Sequence, residues 1–260
     1  MDIRQARREL KFHLKAEQGE AVLAAIKAML PGDANGAVGG AYPIISEYYD
    51  TDDRDAYWER NRRQPNRRKL RVRIYGTSNG VIPPSAFLEV KHKCDGVGVK
   101  RRIRVPLEVV STPGFDVAEL MRGMRREFTR RDEILLAEEV LRLVEVKGVK
   151  PAMQMRYDRL AFEGPDNVRV TFDTAIKCRT VRQALLPDDP DFPHVVMPPG
   201  ERVLELKLFG SAPYWLRELG AKHGLLKTPF SKYCSALEFF DPIIMPIVGR
   251  MTRRLAAPAI

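Results

Sequence analysis

Residues 70–75 read LRVRIY, residues 86–93 read AFLEVKHK and residues 100–105 read KRRIRV. Each alternates apolar with charged side chains. Val72 and Ile74 oppose Arg71 and Arg73. Leu88 and Val90 oppose Glu89, Lys91 and Lys93, and Ile103 and Val105 oppose Lys100, Arg102 and Arg104. Side chains on a strand point to opposite faces with a period of two. Each segment therefore predicts a strand with one apolar face and one row of charge. The pattern recurs at 8–15, where Leu10, Phe12 and Leu14 oppose Glu9, Lys11 and His13. It recurs at 168–173, with Arg169, Thr171 and Asp173 opposing Val168, Val170 and Phe172, and at 203–208, with Glu205 and Lys207 opposing the leucines.

An ordinary sheet with one wet face would also alternate. Here the charged positions are mostly Arg and Lys, with Glu two residues from Lys, and like charges on neighbouring strands repel. A phosphate chain would relieve that repulsion. If the sheet closes, the charged rows line a channel and the apolar faces meet helices outside. Arg then grips phosphate oxygens through its fork and Lys acts as a point charge.

Further strands are predicted at 44–49 and 154–162. A helix over 17–30 buries Val22, Leu23, Ile26, Met29 and Leu30. Residues 115–144 read as mainly helical, and further helices fall at 213–222 and 231–239. Residues 163–167 carry hairpin-turn chemistry, and 50–53 read as an Asp-rich turn. The Gly-rich loop 31–40 lacks a GK[ST] ending and follows a helix, so it is not a phosphate-cradling loop. These elements predict one antiparallel α+β domain over residues 1–240, a closed β-tunnel with helices packed outside, and a tail over 241–260.

The chain has 260 residues, 44% of them hydrophobic, and a formal net charge of +10. That charge points to a polyanionic partner. No apolar run approaches the roughly 20 residues of a membrane span. The polar N-terminus and three scattered cysteines predict a cytoplasmic protein. Glutamates would repel phosphate unless a divalent metal lay between, which suits Mg2+ or Mn2+. Glu205 and Glu89 are the metal candidates and Glu9 the third. The other reading of each is a salt bridge to Lys or Arg.

Several short pieces resemble the catalytic domain of the VTC (vacuolar transporter chaperone) family, the polyphosphate polymerase branch of the triphosphate tunnel metalloenzymes. They are Glu9-Leu-Lys11-Phe12, Tyr48-Tyr-Asp-Thr51, Arg71-Val-Arg73, Glu89-Val-Lys91, Tyr157-Asp-Arg159-Leu-Ala-Phe162, Arg169-Val-Thr-Phe-Asp173, Leu204-Glu-Leu-Lys207 and Phe230-Ser-Lys232-Tyr233. They run in family order along nearly the whole chain. The resemblance implies a basic tunnel, Mn2+ or Mg2+, and transfer of the γ-phosphoryl group of ATP onto inorganic polyphosphate. It implies phosphate-gripping roles for Lys11, Arg71, Arg73, Lys91, Arg159 and Lys232, a metal role for Glu205 and substrate contact for Ser231. Arg102, Arg104, Arg169 and Lys207 are further substrate-binding candidates. Arg156 stands beside Arg159, and the sequence leaves open which points inward.

Two positions depart from the family pattern. Pro229 stands where a Lys often does, with Lys227 as a substitute. The ExExK signature appears as Arg7-Ala-Glu9-Leu-Lys11, without its first carboxylate. The SPX and membrane segments of the eukaryotic proteins are not expected, which suggests a stand-alone, bacterial-type domain with a membrane partner still open. The rival activities are a tunnel-fold triphosphatase, acting on inorganic or RNA 5′-triphosphate, and an inactive polyphosphate binder. A nucleic-acid-binding reading rests on Arg60, Arg62, Arg63, Arg67, Arg68 and Lys69. No nucleic-acid partner is expected, because that cluster also suits a turn or the rim of a tunnel mouth.

Overall fold

The structure is a computed structural model that describes residues 7–33, 40–95 and 97–247. Among these residues, nine strands form one sheet: β1 Arg7–Leu14, β2 Tyr42–Asp50, β3 Arg67–Tyr75, β4 Ser85–Cys94, β5 Val97–Pro106, β6 Lys150–Glu163, β7 Arg169–Arg179, β8 His194–Val195 and β9 Arg202–Phe209. The order is β1-β9-β7-β6-β2-β3-β4-β5, with β8 added to β7. Every pairing is antiparallel. The sheet curls until its two ends meet, with β1 and β5 approaching within 8 Å between Cα atoms. The expected tunnel is therefore present, but no backbone ladder joins this seam among the described residues. A side-chain ion pair from Lys91 on β4 to Glu9 on β1, 2.9 Å, spans it.

The outer apolar faces form two cores. Ile45, Leu70, Val72, Ile74, Leu88, Val90, Ile103 and Val105 pack under three helices, α3 Leu107–Val110, α4 Val117–Met124 and α5 Arg131–Leu141. Asp116 caps α4 by accepting from the Glu119 amide at 2.8 Å, satisfying one of the free N–H groups of the first turn. On the other flank, Phe12, Leu14, Val170, Phe172, Leu204, Leu206 and Leu208 pack against α1 Ala16–Met29 and α6 Tyr214–Lys222. Val22, Leu23 and Ile26 are the buried stripe of α1. Met29, expected in that stripe, is 47% exposed.

The third core lies inside the curl. The inner faces of β2 and β6 carry Ile44, Tyr48, Met153, Met155 and Tyr157, and α7 Lys232–Phe240 covers them with Tyr233, Cys234, Ala236 and Leu237. Part of the interior is thus solid apolar packing, which the charged strands alone do not foretell. Ile176 and Cys178 join this core because the β6–β7 register shifts between Arg156 and Asp158 and Ala175 takes φ 48°. That bulge places Asp173 and Ile176 on the same face, three residues apart.

Other local differences have plain causes. The segment read as an Asp-rich turn continues into helix α2, Asp55–Asn61, because the buried Asp50 accepts the Ala56 amide at 2.8 Å. The helical stretch 115–144 is broken between Met124 and Arg131, and α5 ends in a π-helical turn, Arg142–Val146. The tail is not all detached. Ile244 is fully buried and Asp241 binds Arg54 at 2.8 Å. Residues 248–260 of the tail and 34–39 of the Gly-rich loop lie outside the described residues.

Candidate active site

Strand alternation turns the charged rows of β1, β3, β4, β5, β7 and β9 toward one another. Lys11 lies 3.0 Å from Glu9 and 3.9 Å from Glu205. Lys207 lies 3.3 Å from Glu205, and Arg159 lies 3.7 Å from it. Burial opposes the charge on Glu205. Lys11, Lys207, Arg159 and Lys232 outweigh it and hold the carboxyl well below the usual carboxylate range. Burial also opposes the charge on Lys11, but Glu205 and Glu9 outweigh it and keep Lys11 protonated, above the ordinary Lys range. Lys207 is the reverse case, because burial outweighs Glu205 and brings it down to about 8.

Glu89 holds a second cluster. Arg71 reaches it through Nε at 2.7 Å and Nη2 at 2.5 Å, and Lys100 reaches it at 2.9 Å. Arg73, 5% exposed, donates to the Tyr157 hydroxyl at 2.9 Å and to Ser46 at 3.3 Å. Arg71 also donates to the Tyr48 hydroxyl at 3.2 Å. Burial raises the Tyr48 phenol, but Arg71, Arg73 and Lys232 overcome it and bring it down to about 8.

The third cluster is centred on Asp173. Arg159 grips it bidentately at 2.7 and 2.8 Å, and Lys232 reaches it at 2.5 Å from the first turn of α7. Burial raises its carboxyl, and the two cations overrule that and bring it down to about 2.

The structure thus brings Lys11, Arg71, Arg73, Arg159, Lys207 and Lys232 together on the inner face with Glu9, Glu89 and Glu205. Lys91 lies beside the seam with Glu9. Arg102 and Arg104 are exposed on the inner row of β5, their guanidinium carbons 4.5 and 6.0 Å from the Phe87 ring. Arg169 sits at one end of its inner row, held by Asp33 at 2.5 Å and Glu163 at 2.9 Å.

Three candidates take other places. Arg156 pairs with Ile45 across the β2–β6 ladder and lies on the outer face near Asp158, so Arg159 is the inward member of the two. The Ser231 hydroxyl accepts the Cys234 amide as the N-cap of α7. Lys227 is exposed on the loop before α7. The basic cluster at 60–69 is also split. Arg68 turns outward to Glu139, whereas Lys69 turns inward over the Tyr233 ring.

Asp173, Lys100, Lys69, Tyr48 and Tyr157 belong to the same interior; the sequence placed Asp173 and Lys100 in the charged rows and Lys69 in the basic cluster, but gave none of the five a site role. The signal for Asp173 was present: it is two residues past Thr171 and shares its face. The two tyrosines open pieces of the family resemblance, but an inward aromatic by itself reads as ordinary core.

Among the described residues, no group of three or more His, Cys, Asp or Glu side chains is placed to hold a metal ion. The carboxylates come as a pair, Glu9 and Glu205, close enough for each to influence the other's ionisation. A hard divalent cation needs only one or two carboxylates when phosphate oxygens and water complete its shell, and this pair fits that requirement. Glu89 does not, because its two oxygens are already engaged by Arg71 and Lys100.

A curled antiparallel sheet lined with Lys and Arg around a few buried carboxylates defines a cation-lined β-tunnel. The chain belongs to the VTC domain family, whose profile matches residues 6–240. Vacuolar transporter chaperone complex subunit 4 of Schizosaccharomyces pombe is 27% identical over 241 residues, covering 78% of this chain and 32% of that protein. The chain therefore spans about a third of that relative's length. Among solved structures, the PH1819 protein from Pyrococcus horikoshii OT3 aligns with a TM-score of 0.49 and 13% identity, over 89% of this chain and 98% of that one. HpAC1 from Hippeastrum, described with a dominant triphosphatase activity, aligns with a TM-score of 0.46 and 13% identity, over 88% and 93%. No described helix is long and apolar enough to cross a membrane.

Proposed function

We propose that the protein is a metal-dependent polyphosphate polymerase, transferring the γ-phosphoryl group of ATP onto a growing phosphate chain inside the tunnel. The observation that carries this reading is the inner face itself, where Lys11, Arg71, Arg73, Arg159 and Lys232 are all turned to one interior and positioned by buried carboxylates. Membership of the VTC family supports the same reading.

In this reading Arg71, Arg73 and Lys11 hold the triphosphate, and Lys91, Arg102 and Lys232 guide the acceptor or product chain. The attacking group is a terminal phosphate oxygen of the polymer, so no side-chain nucleophile is required. Catalysis comes from alignment and neutralisation of phosphate charge. The carboxylates keep their cations oriented before substrate arrives, which lowers the reorganisation needed at reaction. Mn2+ or Mg2+, held by Glu205 with Glu9, would neutralise and orient the reacting phosphates.

The test is incubation with ATP and Mn2+, with products sized on a gel, with and without a short polyphosphate primer. Long polyphosphate supports the polymerase. Release of phosphate alone identifies a triphosphatase, and binding without turnover identifies an inactive tunnel.

A further inference from the structure

The tunnel residues above account for a short run of phosphates. Beyond them the inner rows of β3 and β4 continue toward one end of the barrel with cations only. Across the ladders, Lys69 stands opposite Lys91, which stands opposite Lys100, and Arg67 stands opposite Lys93. Like charges placed directly opposite destabilise a sheet. Lys91 and Lys100 are answered by Glu9 and Glu89. Among the described residues, Arg67, Lys69 and Lys93 have no carboxylate within 4.0 Å; the Arg67 guanidinium donates only to the Gln64 carbonyl, at 2.5 Å.

The loop before α7 adds to this end. The Thr228 amide donates to the Lys11 carbonyl at 2.8 Å, which fastens the loop to β1 at the tunnel. Arg60 on α2 donates to the Pro229 carbonyl at 2.5 Å, which ties in a further cation. Lys227 lies on the same loop and near Lys93, whose pKa is lowered first by burial and then by Arg67, Lys91 and Lys227, with Glu9 opposing them. Four elements, β3, β4, α2 and the loop before α7, thus deliver cations to one rim, where among the described residues Arg67 and Lys93 have no paired carboxylate and Glu9 acts on Lys93 only from beyond 4.0 Å.

We infer that Arg60, Arg67, Lys93 and Lys227 form a collar at this mouth that grips the phosphate chain outside the tunnel. The inference rests on the polyphosphate reading and extends it. The collar engages only chains longer than the tunnel can hold, so it favours retention of long product over short product. It also gives the tunnel a direction, with the chain leaving through the end where β3 begins and β4 turns into β5.

Binding of tripolyphosphate and of long-chain polyphosphate is measured across a salt series for the wild type, for Arg67→Ala/Lys93→Ala and for Lys227→Ala, with thermal melts as the check on folding. Each neutralised charge contributes about 0.7 to the slope of log affinity against log salt for a single-stranded polyanion. The double variant should lose about 1.4 in slope on the long chain and Lys227→Ala about 0.7, with tripolyphosphate binding unchanged. An unchanged slope on the long chain overturns the collar, as does an equal loss on tripolyphosphate. An equal loss on a single-stranded oligonucleotide that wild type binds as tightly makes the rim a general polyanion surface and also overturns it. A wild type that binds neither phosphate compound defeats the polyphosphate reading itself, a result distinct from the others.

Discussion

Asp173→Asn tests how the tunnel holds its charges before substrate arrives. Asp173 is fully buried and ties together Arg159 and Lys232, each 8% exposed. Asn keeps the shape and removes the charge, leaving two buried cations short of their main counter-ion. Breaking a buried ion pair from one side costs about 3–5 kcal/mol. A second route gives a smaller figure. Holding the carboxyl at about 2 instead of 3.8 corresponds to roughly 2–3 kcal/mol, at about 1.4 kcal/mol per pH unit. The expected loss is therefore about 2–5 kcal/mol, which lowers Tm by roughly 5–20 °C for a domain of this size.

The pH dependence fixes the sign. The folded pKa is depressed, so the stabilisation is complete above the unfolded value near 3.8 and is lost as pH falls through it toward 2. Wild type and variant should thus differ most near pH 7 and converge in acid. A phosphate chain restores the missing negative charge. Tripolyphosphate should therefore raise the Tm of the variant by more than that of the wild type, read by differential scanning fluorimetry. A variant that melts like wild type at pH 7, or gains less from the ligand, refutes the argument.

Glu205→Gln should lower metal-dependent turnover by about 100-fold or more while the protein stays folded, as expected when a group acting on the reacting charge is removed. Glu89→Gln should instead raise the KM for ATP and leave the metal titration unchanged, since Glu89 positions Arg71; steady-state kinetics across Mn2+ concentrations separate the two. Binding of phosphate chains should weaken as pH rises from 8 to 9.5, because Lys207 and Tyr48 both lose protons near 8 in the free protein and anion binding favours the protonated forms. Lys207→Arg with Tyr48→Phe should flatten that profile in calorimetric titrations. Arg179→Ala should cost about 3 kcal/mol in urea unfolding, because this 2% exposed guanidinium bonds Gln154, Gln183 and Asp189 and no solvent replaces them. It lies outside the tunnel, so affinity for tripolyphosphate should not change.

Much of the fold was legible because alternation is a local property. The faces of β1, β3, β4, β5 and β9 follow directly from residues such as Leu70–Tyr75, and the helix stripe of Val22, Leu23 and Ile26 follows from its spacing. What escaped the sequence depends on tertiary placement. The bulge at Ala175 decides that Asp173 and Ile176 share a face, and nothing in TFDTAI announces a left-handed residue there. Helix α2 depends on Asp50 finding the Ala56 amide, although the same residues also make a good turn. Arg156 and Arg159 are three apart, so strand parity puts them on opposite faces, but choosing the inward one requires the register with β2. Met153, Met155 and Tyr157 are apolar or aromatic at alternate positions of β6, and only the fold reveals that they build a core inside the curl, under α7.

The apolar plug and the charged rows together explain how so many cations tolerate one interior. Buried Lys and Arg are stable only where each finds an oxygen, and an isolated one costs several kcal/mol. Along β6, the Tyr157 hydroxyl receives Arg73, and its ring lies beneath Arg159 and Lys232, at 5.5 and 4.6 Å. These are weak acceptors, enough to orient a cation but not to neutralise it. Among the described residues, Glu9, Glu89, Asp173 and Glu205 supply the only full negative charges within 4 Å of the inner-face cations Lys11, Arg71, Lys91, Lys100, Arg159, Lys207 and Lys232, and those cations outnumber them. The ligand-free tunnel therefore keeps a surplus of positive charge on pre-oriented groups. A ligand must be anionic at several points along its length to relieve that surplus, which a single phosphate cannot do and a chain of phosphates can. The proposed function therefore predicts selectivity for chains over free phosphate, set by how the surplus is spread along the strands.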